Sequence, residues 1–403
     1  MNAHRPSARP RHRIVSNRQA LLALAALACA ALVSPADAQR DRWRSVSVGS
    51  DHACALDAEG RAYCWGYNHA GQLGARTAMK CGIEGESGHR GCHPDASETV
   101  PLAVGGGVRF ASVSAGEYLA CGTDARGAAF CWGAPAAEPA RYRDACMDEE
   151  PCSFTPVPLM PGRRFAVVDA RARCAADAEG ASFCWGDPHR GPGRVKKPWE
   201  GEEIAFVAGD PGNDGEHPTS CAVRRDGGVI CRGEAAFGLR GNGPDTTATG
   251  AVDSPARFSR VAVLENWACG LDAAGAAFCW GAAGYDDVRG TDPRPRDEVC
   301  ERWAVSTYCN RRPAAVEGAP PFRTLVAYGH STMPVIHEMI GLTADGRAYA
   351  WGGDRRVRPW RPEHRWASVS ANRWGECGVT TDGALFCWGA NPHDTVQGRI
   401  PHP

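Results

Sequence analysis

One stretch of sequence, CALDAEGRAYCWG at Cys54–Gly66, recurs along this chain and restricts what it can fold into. It returns as CGTDARGAAFCWG (Cys121–Gly133), CAADAEGASFCWG (Cys174–Gly186), CGLDAAGAAFCWG (Cys269–Gly281) and CGVTTDGALFCWG (Cys377–Gly389). Two looser copies, CAVRRDGGVICRG (Cys221–Gly233) and IGLTADGRAYAWG (Ile340–Gly352), bring the total to seven. Repetition at this interval makes an array in which each copy buries its apolar surface against the next.

Each copy has the pattern of a β-hairpin. Setting Cys54 opposite Cys64 puts Ala55 opposite Tyr63, Leu56 opposite Ala62 and Asp57 opposite Arg61, leaving Ala58, Glu59 and Gly60 as the loop. A three-residue loop needs a left-handed residue at its end, a conformation glycine adopts without strain. Glycine stands there in all seven copies. Alternation along the second strand places Cys64 on one face and Tyr63 with Trp65 on the other, so both faces are apolar. Such a strand needs a packed layer on each side.

Directly opposed residues of an antiparallel pair have Cα atoms about 4.5–5.5 Å apart, within the span of a disulfide. Six copies keep both cysteines: Cys54 with Cys64, Cys121 with Cys131, Cys174 with Cys184, Cys221 with Cys231, Cys269 with Cys279 and Cys377 with Cys387. The seventh loses both together, to Ile340 and Ala350, which is how a bonded pair behaves. The spacing lacks the short Cys-x-x-Cys knuckle of zinc sites. Three close couples remain, Cys81 with Cys92, Cys146 with Cys152 and Cys300 with Cys309, besides a single Cys29. Pairing every cysteine except Cys29 leaves no free thiol and predicts an oxidising compartment.

Cys29 lies in a leader. An arginine-bearing start up to Arg18, an Ala/Leu-rich run over 20–33 and the small residues around Ala36 and Ala38 predict a signal peptide, residues 1–38, cleaved after Ala38. The run is too short for a membrane anchor, Ala26 and Leu27 fit a lipobox poorly, and no other apolar run spans a bilayer. Five arginines and Asp37 leave with the leader, turning 45 basic and 46 acidic residues into 40 and 45. That slight acidic excess argues against a nucleic-acid partner, which calls for a basic patch.

A short strand precedes each hairpin, opening on a large apolar residue with a β-branched or Leu residue three positions on. The pairs are Trp43/Val46, Phe110/Val113, Phe165/Val168, Ile204/Val207, Phe258/Val261, Phe322/Leu325 and Trp366/Val369. Proline-valine stretches at Val100–Val104, Pro156–Leu159 and Pro313–Val316 supply a fourth strand at a sheet edge, where proline is tolerated. Four short strands per unit, seven units in a row, predict an all-β fold: a seven-bladed β-propeller with disulfide-bridged hairpins. It forms a single domain over residues 39–403, with repeats starting near residues 43, 110, 165, 204, 258, 322 and 366.

The run YCWGYNHAGQLG at Tyr63–Gly74, preceded by GSDHACAL at Gly49–Leu56, resembles a repeat of the regulator of chromosome condensation family. The resemblance extends from Trp43 to Gly389 and implies a seven-bladed propeller. Only the first unit carries the full pattern. The Asn-x-x-Gly-Gln-Leu-Gly tail is degraded or missing elsewhere, His52 has no counterpart in the other six copies, and Arg232 replaces the tryptophan of the Cys221 unit. Ring closure is expected from Gln397–Pro401, as the missing proline-valine-type strand of the first blade.

With strands running alternately up and down, the connections into and out of each hairpin share one end of the propeller and the Asp-x-x-Gly turns the other. All long inserts then decorate one face: Thr77–Thr99, Ala134–Thr155 and Ala282–Arg312, each with a cysteine couple, plus Asp210–Ser220 and Gly329–Met339. Long loops on a rigid scaffold commonly carry function. Tyr118, Trp267, Tyr285, Trp303 and Trp374 belong to that face and are the candidate ligand-binding residues, since Trp and Tyr anchor protein and sugar contacts. The Trp-Gly tryptophans (Trp65, Trp132, Trp185, Trp280, Trp351, Trp388) are assigned to packing between blades.

Signals for chemistry are thin. His330 and His337-Glu338 share a loop, but His-Glu-Met-Ile-Gly lacks the second histidine of zinc proteases. The run from Asp210 does not space its ligands as a calcium loop does. Glu84, Glu86, His89 and His93 suit a polar exposed loop. No catalytic residue, metal or cofactor is assigned.

The expectation is a monomeric, non-enzymatic binding protein, periplasmic, at the cell surface or secreted, meeting a protein or glycan with its loop face. Fold alone does not fix function. The alternatives, both drawn from proteins the family resembles, are a propeller enzyme (lyase or hydrolase) with a site near the central channel and an inhibitor of a secreted hydrolase. Nucleotide exchange on a nuclear GTPase and chromatin binding, for which the family is named, do not fit a leader and a full set of bridges.

Overall fold

The odd three-residue spacing of Trp43/Val46 and its counterparts has a structural cause. In all seven units the first strand meets the hairpin with a β-bulge after its opening residue, as between Trp43 and Ser45 or between Trp366 and Ser368. The extra residue shifts the alternation by one, so Trp43, Val46 and Val48 reach the same core.

The computed structural model describes residues 42–78, 80–84, 89–93, 97–136, 141–142, 144–146, 151–185, 196–210, 219–232, 249–264, 267–282, 298–302, 305–330, 336–352, 356–372, 375–389 and 398–403. All lie in one unit, Arg42–Pro403. No α-helix occurs among them.

The unit is a seven-bladed β-propeller. Blade 1 orders Trp43–Val48, His52–Asp57, Ala62–Gly66 and Glu98–Ala103, and the later blades repeat that order. Blade 3 departs from it, having three strands among its described residues and a lone bridge from Cys184 to Lys196 at its outer edge. Within each hairpin the register matches the expectation, with Cys54 opposite Cys64 and Leu56 opposite Ala62. All six hairpin disulfides form between directly opposed residues: Cys54 bonds Cys64, Cys121 bonds Cys131, Cys174 bonds Cys184, Cys221 bonds Cys231, Cys269 bonds Cys279 and Cys377 bonds Cys387. Their Cα–Cα distances of 4.0–4.1 Å are shorter than the opposed-strand spacing expected from sequence, so each bridge draws its hairpin in tightly. In blade 2 both Cys121 and Cys131 are fully buried, in different joints from their aromatic neighbour Phe130. Chain-entropy arguments value a bridge closing so short a loop at about 3 kcal/mol.

First strands pack against first strands from blade to blade and around to the start, enclosing the axis. Seven apolar clusters fill the seven joints. In six of them, the disulfide face of one blade meets the apolar face of the next. Cys54, Leu56 and Cys64 lie against Phe110 and Trp132, Cys121 and Cys131 against Phe165 and Trp185, and Cys269 and Cys279 against Phe322 and Trp351. Trp351 even directs its indole N–H at Cys279 Sγ, 3.5 Å away. Where blade 6 lacks the bridge, Ile340 and Ala350 pack with Trp360 and Trp366. Where blade 4 lacks the tryptophan, the joint's tryptophan is Trp199, brought in by the preceding connection.

One hydrogen bond recurs at every joint. The turn glycine of each hairpin offers its carbonyl to the N–H that opens the next blade, as in Phe110 to Gly60 and Phe322 to Gly275, at 2.7–2.9 Å in all seven cases. The last of these, Trp43 N to Gly383 O, closes the ring. Near the axis, serines add to it: the Val48 N–H donates to Ser370 Oγ and the Ala115 N–H to Ser47 Oγ, each at 2.9 Å.

Closure differs from the sequence expectation in one respect. Gly398–Ile400 is the fourth strand of blade 7, paired with Leu385–Cys387, whereas blade 1 takes its fourth strand from its own Glu98–Ala103. Each blade is therefore made of contiguous chain, and no strand is exchanged across the seam. The tail still reaches blade 1: His402 packs on Trp43 and Tyr63, with ring centroids 4.8 and 5.0 Å away.

Two expectations follow. Gly275 has φ +84°, and a Cβ there would stand 2.5 Å from Phe322 O; Gly318 has φ +72° and open space around it. Gly318→Ala is expected to cost about 1 kcal/mol, the left-handed penalty alone. Gly275→Ala is expected to cost about 3 kcal/mol, since the clash adds to it, as read from guanidinium unfolding. Removing residues 398–403 is expected to lower the melting temperature by uncovering the outer edge of blade 7 and the Trp43/Tyr63 pair, measurable by calorimetry.

Candidate functional site

Strand direction places all three cysteine-bearing inserts at one end of the propeller, between third and fourth strands. The first forms its own ladder, Lys80–Glu84 with His89–His93, its backbone register setting Cys81 opposite Cys92. The second pairs Asp144–Ala145 with the start of Pro151–Leu159, and Cys146 is bridged to Cys152 across a Cα–Cα distance of 5.8 Å. The third pairs Glu298–Arg302 with Val305–Cys309. There Cys300 stands opposite Thr307, two positions from Cys309. Cys309 is disulfide-bonded, while the side chains of Cys81, Cys92 and Cys300 lie outside those described. In the second and third inserts one strand runs on as the blade's outer strand, with a register shift where it joins the third strand. These inserts are thus extensions of blades 2 and 5.

Of the five candidate ligand-binding residues, the structure describes two. Tyr118 is half-buried and belongs to a row of rings across blades 1 and 2: Tyr67 to His69 and His69 to Tyr118, each 5.5 Å between centroids and edge-to-face. Trp267 does not belong to the surface. It is 4% exposed and packs in the joint between blades 5 and 6, because the second strand of blade 5 begins there and turns the indole inward. Tyr285, Trp303 and Trp374 lie outside the described residues.

His330 and His337 prove to be strand residues rather than loop residues. Blade 6 extends its inner pair to Phe322–His330 and Ile336–Thr343, with Gly329 opposite His337. Their side chains lie outside those described, as do those of Glu84, Glu86, His89, His93 and Asp210.

No repeat pattern announces the charged and aromatic cluster where blades 6 and 7 meet. Glu376 pairs with Arg361 and accepts the Trp360 indole N–H at 3.0 Å. The Arg361 guanidinium lies 3.7 Å from the centre of the Trp388 ring, a cation–π contact. Arg361 holds this position with φ +43°, in the left-handed region that non-glycine residues rarely occupy. Glu338 pairs with Arg358 nearby. Tyr328 is buried beside them; burial, then Glu376 and Glu338, raise its hydroxyl pKa far above the ordinary value. Trp388 is the half-exposed member of the Trp-Gly set, while Trp65, Trp132, Trp185, Trp280 and Trp351 are buried. No arrangement of a nucleophile with a base was found in this cluster; its charges are paired with each other.

A small open cleft lies at the seam of blades 7 and 1, lined by His52, Trp65, Asn372 and Glu376 among others. Asn372 bridges the seam, donating to the Gly49 carbonyl and accepting the Gly375 N–H at 2.8 Å. His52 is 1% exposed, and neither ring nitrogen hydrogen-bonds among the described residues. Burial, and secondarily the charge of His69, lower its pKa to about 3. His52 is therefore neutral in the folded protein and takes up a proton on unfolding below its ordinary pKa of 6.5. The unfolded state then binds more protons, so stability falls as pH drops from about 6.5 towards 3. A variant His52→Leu is expected to lose a few kcal/mol less over that interval than the unaltered protein, as followed by urea unfolding at stepped pH.

Residues 43–72 match the regulator of chromosome condensation (RCC1) repeat. The propeller is similar to human WBSCR16, with a TM-score of 0.57 and 16% identity over 85% of this chain and 94% of that one. It is similar to yeast RCC1 (Prp20) as seen bound by Kap60, with a TM-score of 0.56 and 16% identity over 82% and 78%. Prp20p of Saccharomyces cerevisiae gives a TM-score of 0.55 and 16% identity over 81% and 80%. At such identity the likeness is one of fold, and the sequence match resides in blade 1. The chain is thus a seven-bladed propeller whose first blade matches a regulator of chromosome condensation repeat.

Proposed function

We propose that this protein is a non-enzymatic binding protein that works outside the reducing cytoplasm and recognises a protein partner with its insert-bearing face. One observation carries the reading: three inserts emerge at the same end, and those of blades 2 and 5 are paired strands that share their chain with the outer strands of the propeller. A surface held rigid before binding loses less conformational entropy when a partner arrives. The Tyr67–His69–Tyr118 row supplies aromatic contact area on the same face.

Seven described disulfides support an oxidising compartment, since thiol-reducing compartments rarely retain them. The leader at residues 1–38 supports export, and no helix among the described residues is long and apolar enough to cross a membrane. Yeast RCC1 (Prp20), similar in fold, is bound by Kap60, one case of such a propeller in a protein complex.

The reading is tested by capture from envelope and extracellular fractions with the full mature chain. A companion variant has residues 79–96, 137–150 and 283–304 replaced by short Gly-Ser links. Capture of a protein by the unaltered chain, lost in the variant, is expected. Equal capture by both removes the insert face from consideration, and capture of glycans alone favours sugar recognition.

A further inference from the structure

Five of the seven units place a buried tryptophan at the end of the third strand, against the disulfide face of the preceding blade. Blade 4 keeps its own disulfide, Cys221–Cys231, and its register, yet has Arg232 at that position. Alternation along Val229–Arg232 directs Cys231 towards blade 5 and Ile230 towards blade 3, so Arg232 shares the blade 3 side with Ile230. Its cross-strand neighbour there is Ser220. Ala172 of blade 3 faces them: a Cβ built on Gly209 would stand 3.0 Å from Ala172 Cβ and 3.1 Å from Ser220 Cβ. Arg232 therefore lies in the mouth of the joint between blades 3 and 4, on the insert-bearing face.

This guanidinium is half-buried, and no carboxylate among the described residues pairs with it. Burial lowers its pKa with no opposing carboxylate to restore it. Arg173, a buried arginine of this face, behaves differently, pairing with Glu117. Taking a charge partly out of water without a counter-charge is unfavourable. A tryptophan, as used in the sister blades, avoids that cost altogether.

We propose that Arg232, flanked by the Ser220 hydroxyl, is a recognition site for a carboxylate presented by an acidic side chain of the protein partner. The fork of a guanidinium matches the two oxygens of a carboxylate, and a hydroxyl beside it offers one further donor. One guanidinium balances a single negative charge, which fits a carboxylate and falls short of a phosphate dianion. The proposal rests on the binding reading above and names the chemistry that one part of that face selects.

The test needs no identified partner. The mature protein is titrated with acetyl-Gly-Glu-Gly-amide at constant ionic strength, with acetyl-Gly-Gln-Gly-amide as the uncharged control. The Arg side-chain Nε–Hε resonances are followed by NMR, and that of Arg232 is assigned by its loss in Arg232→Trp. A saturable shift with the glutamyl peptide alone is expected, and no saturable shift of any arginine in Arg232→Trp. Arg232→Lys, a point charge without the fork, is expected to bind the peptide at least threefold more weakly. Equal shifts with both peptides, or a saturable shift retained by other arginines in Arg232→Trp, overturn the proposal. Loss of partner capture in the insert variant with the Arg232 shift intact leaves this site standing on its own. A failed Arg232 shift with capture intact removes the site and keeps the face.

Discussion

Everything in this molecule depends on how one blade is joined to the next. The joint has two parts that reinforce each other. A glycine carbonyl at the turn receives the N–H that opens the following blade, fixing the two blades in height. A disulfide face then meets an aromatic face, fixing them in angle. Glycine is required for the first part because the carbonyl reaches its partner only from a left-handed turn, with no room for a Cβ at positions such as Gly275. Small, dense disulfides suit the second, since they let a neighbouring indole approach closely.

Because that joint is repeated seven times, the scaffold tolerates local exceptions. Blade 6 gives up its disulfide and fills the space with Ile340, Ala350 and Trp360. Blade 3, among its described residues, has a lone bridge at Lys196 where the others have a fourth strand. Blade 4 exchanges a tryptophan for Arg232 while Trp199 takes over the packing. The same tolerance lets blades 2 and 5 run their outer strands on into inserts without disturbing the ring. The cysteine-bearing inserts therefore emerge at the end opposite the turns, where the joint makes few demands on side chains.

The repeated hairpin, its register and its bridges were legible because they depend on neighbours in sequence: Cys54 and Cys64 are ten residues apart, as are Cys121 and Cys131, and a turn glycine stands between each pair. The place of Gly398–Ile400 was less legible, since a three-residue strand suits the edge of either the last or the first blade equally well by composition. Trp267 misled for a related reason. Its position at a strand entrance suggested exposure, but the inward turn of that strand is set by contacts with blade 6. The Arg361–Glu376–Trp388 cluster and the isolation of His52 depend on side chains brought together from different blades. No spacing rule within one repeat encodes such encounters. Arg232 was visible as a departure from the repeat, and the structure gave it meaning by locating it in a joint without a counter-charge.

The short reach of the hairpin bridges bears on how the chain matures. Every hairpin cysteine bonds its partner ten residues away, and a small loop closes at lower entropic cost than a large one. Of the many pairings open to so many thiols, the native ones join cysteines that the unfolded chain already brings together most often. Oxidation can therefore proceed blade by blade as the polypeptide emerges, each hairpin locking before the next is made. A chain so arranged has its connectivity largely decided before oxidation begins.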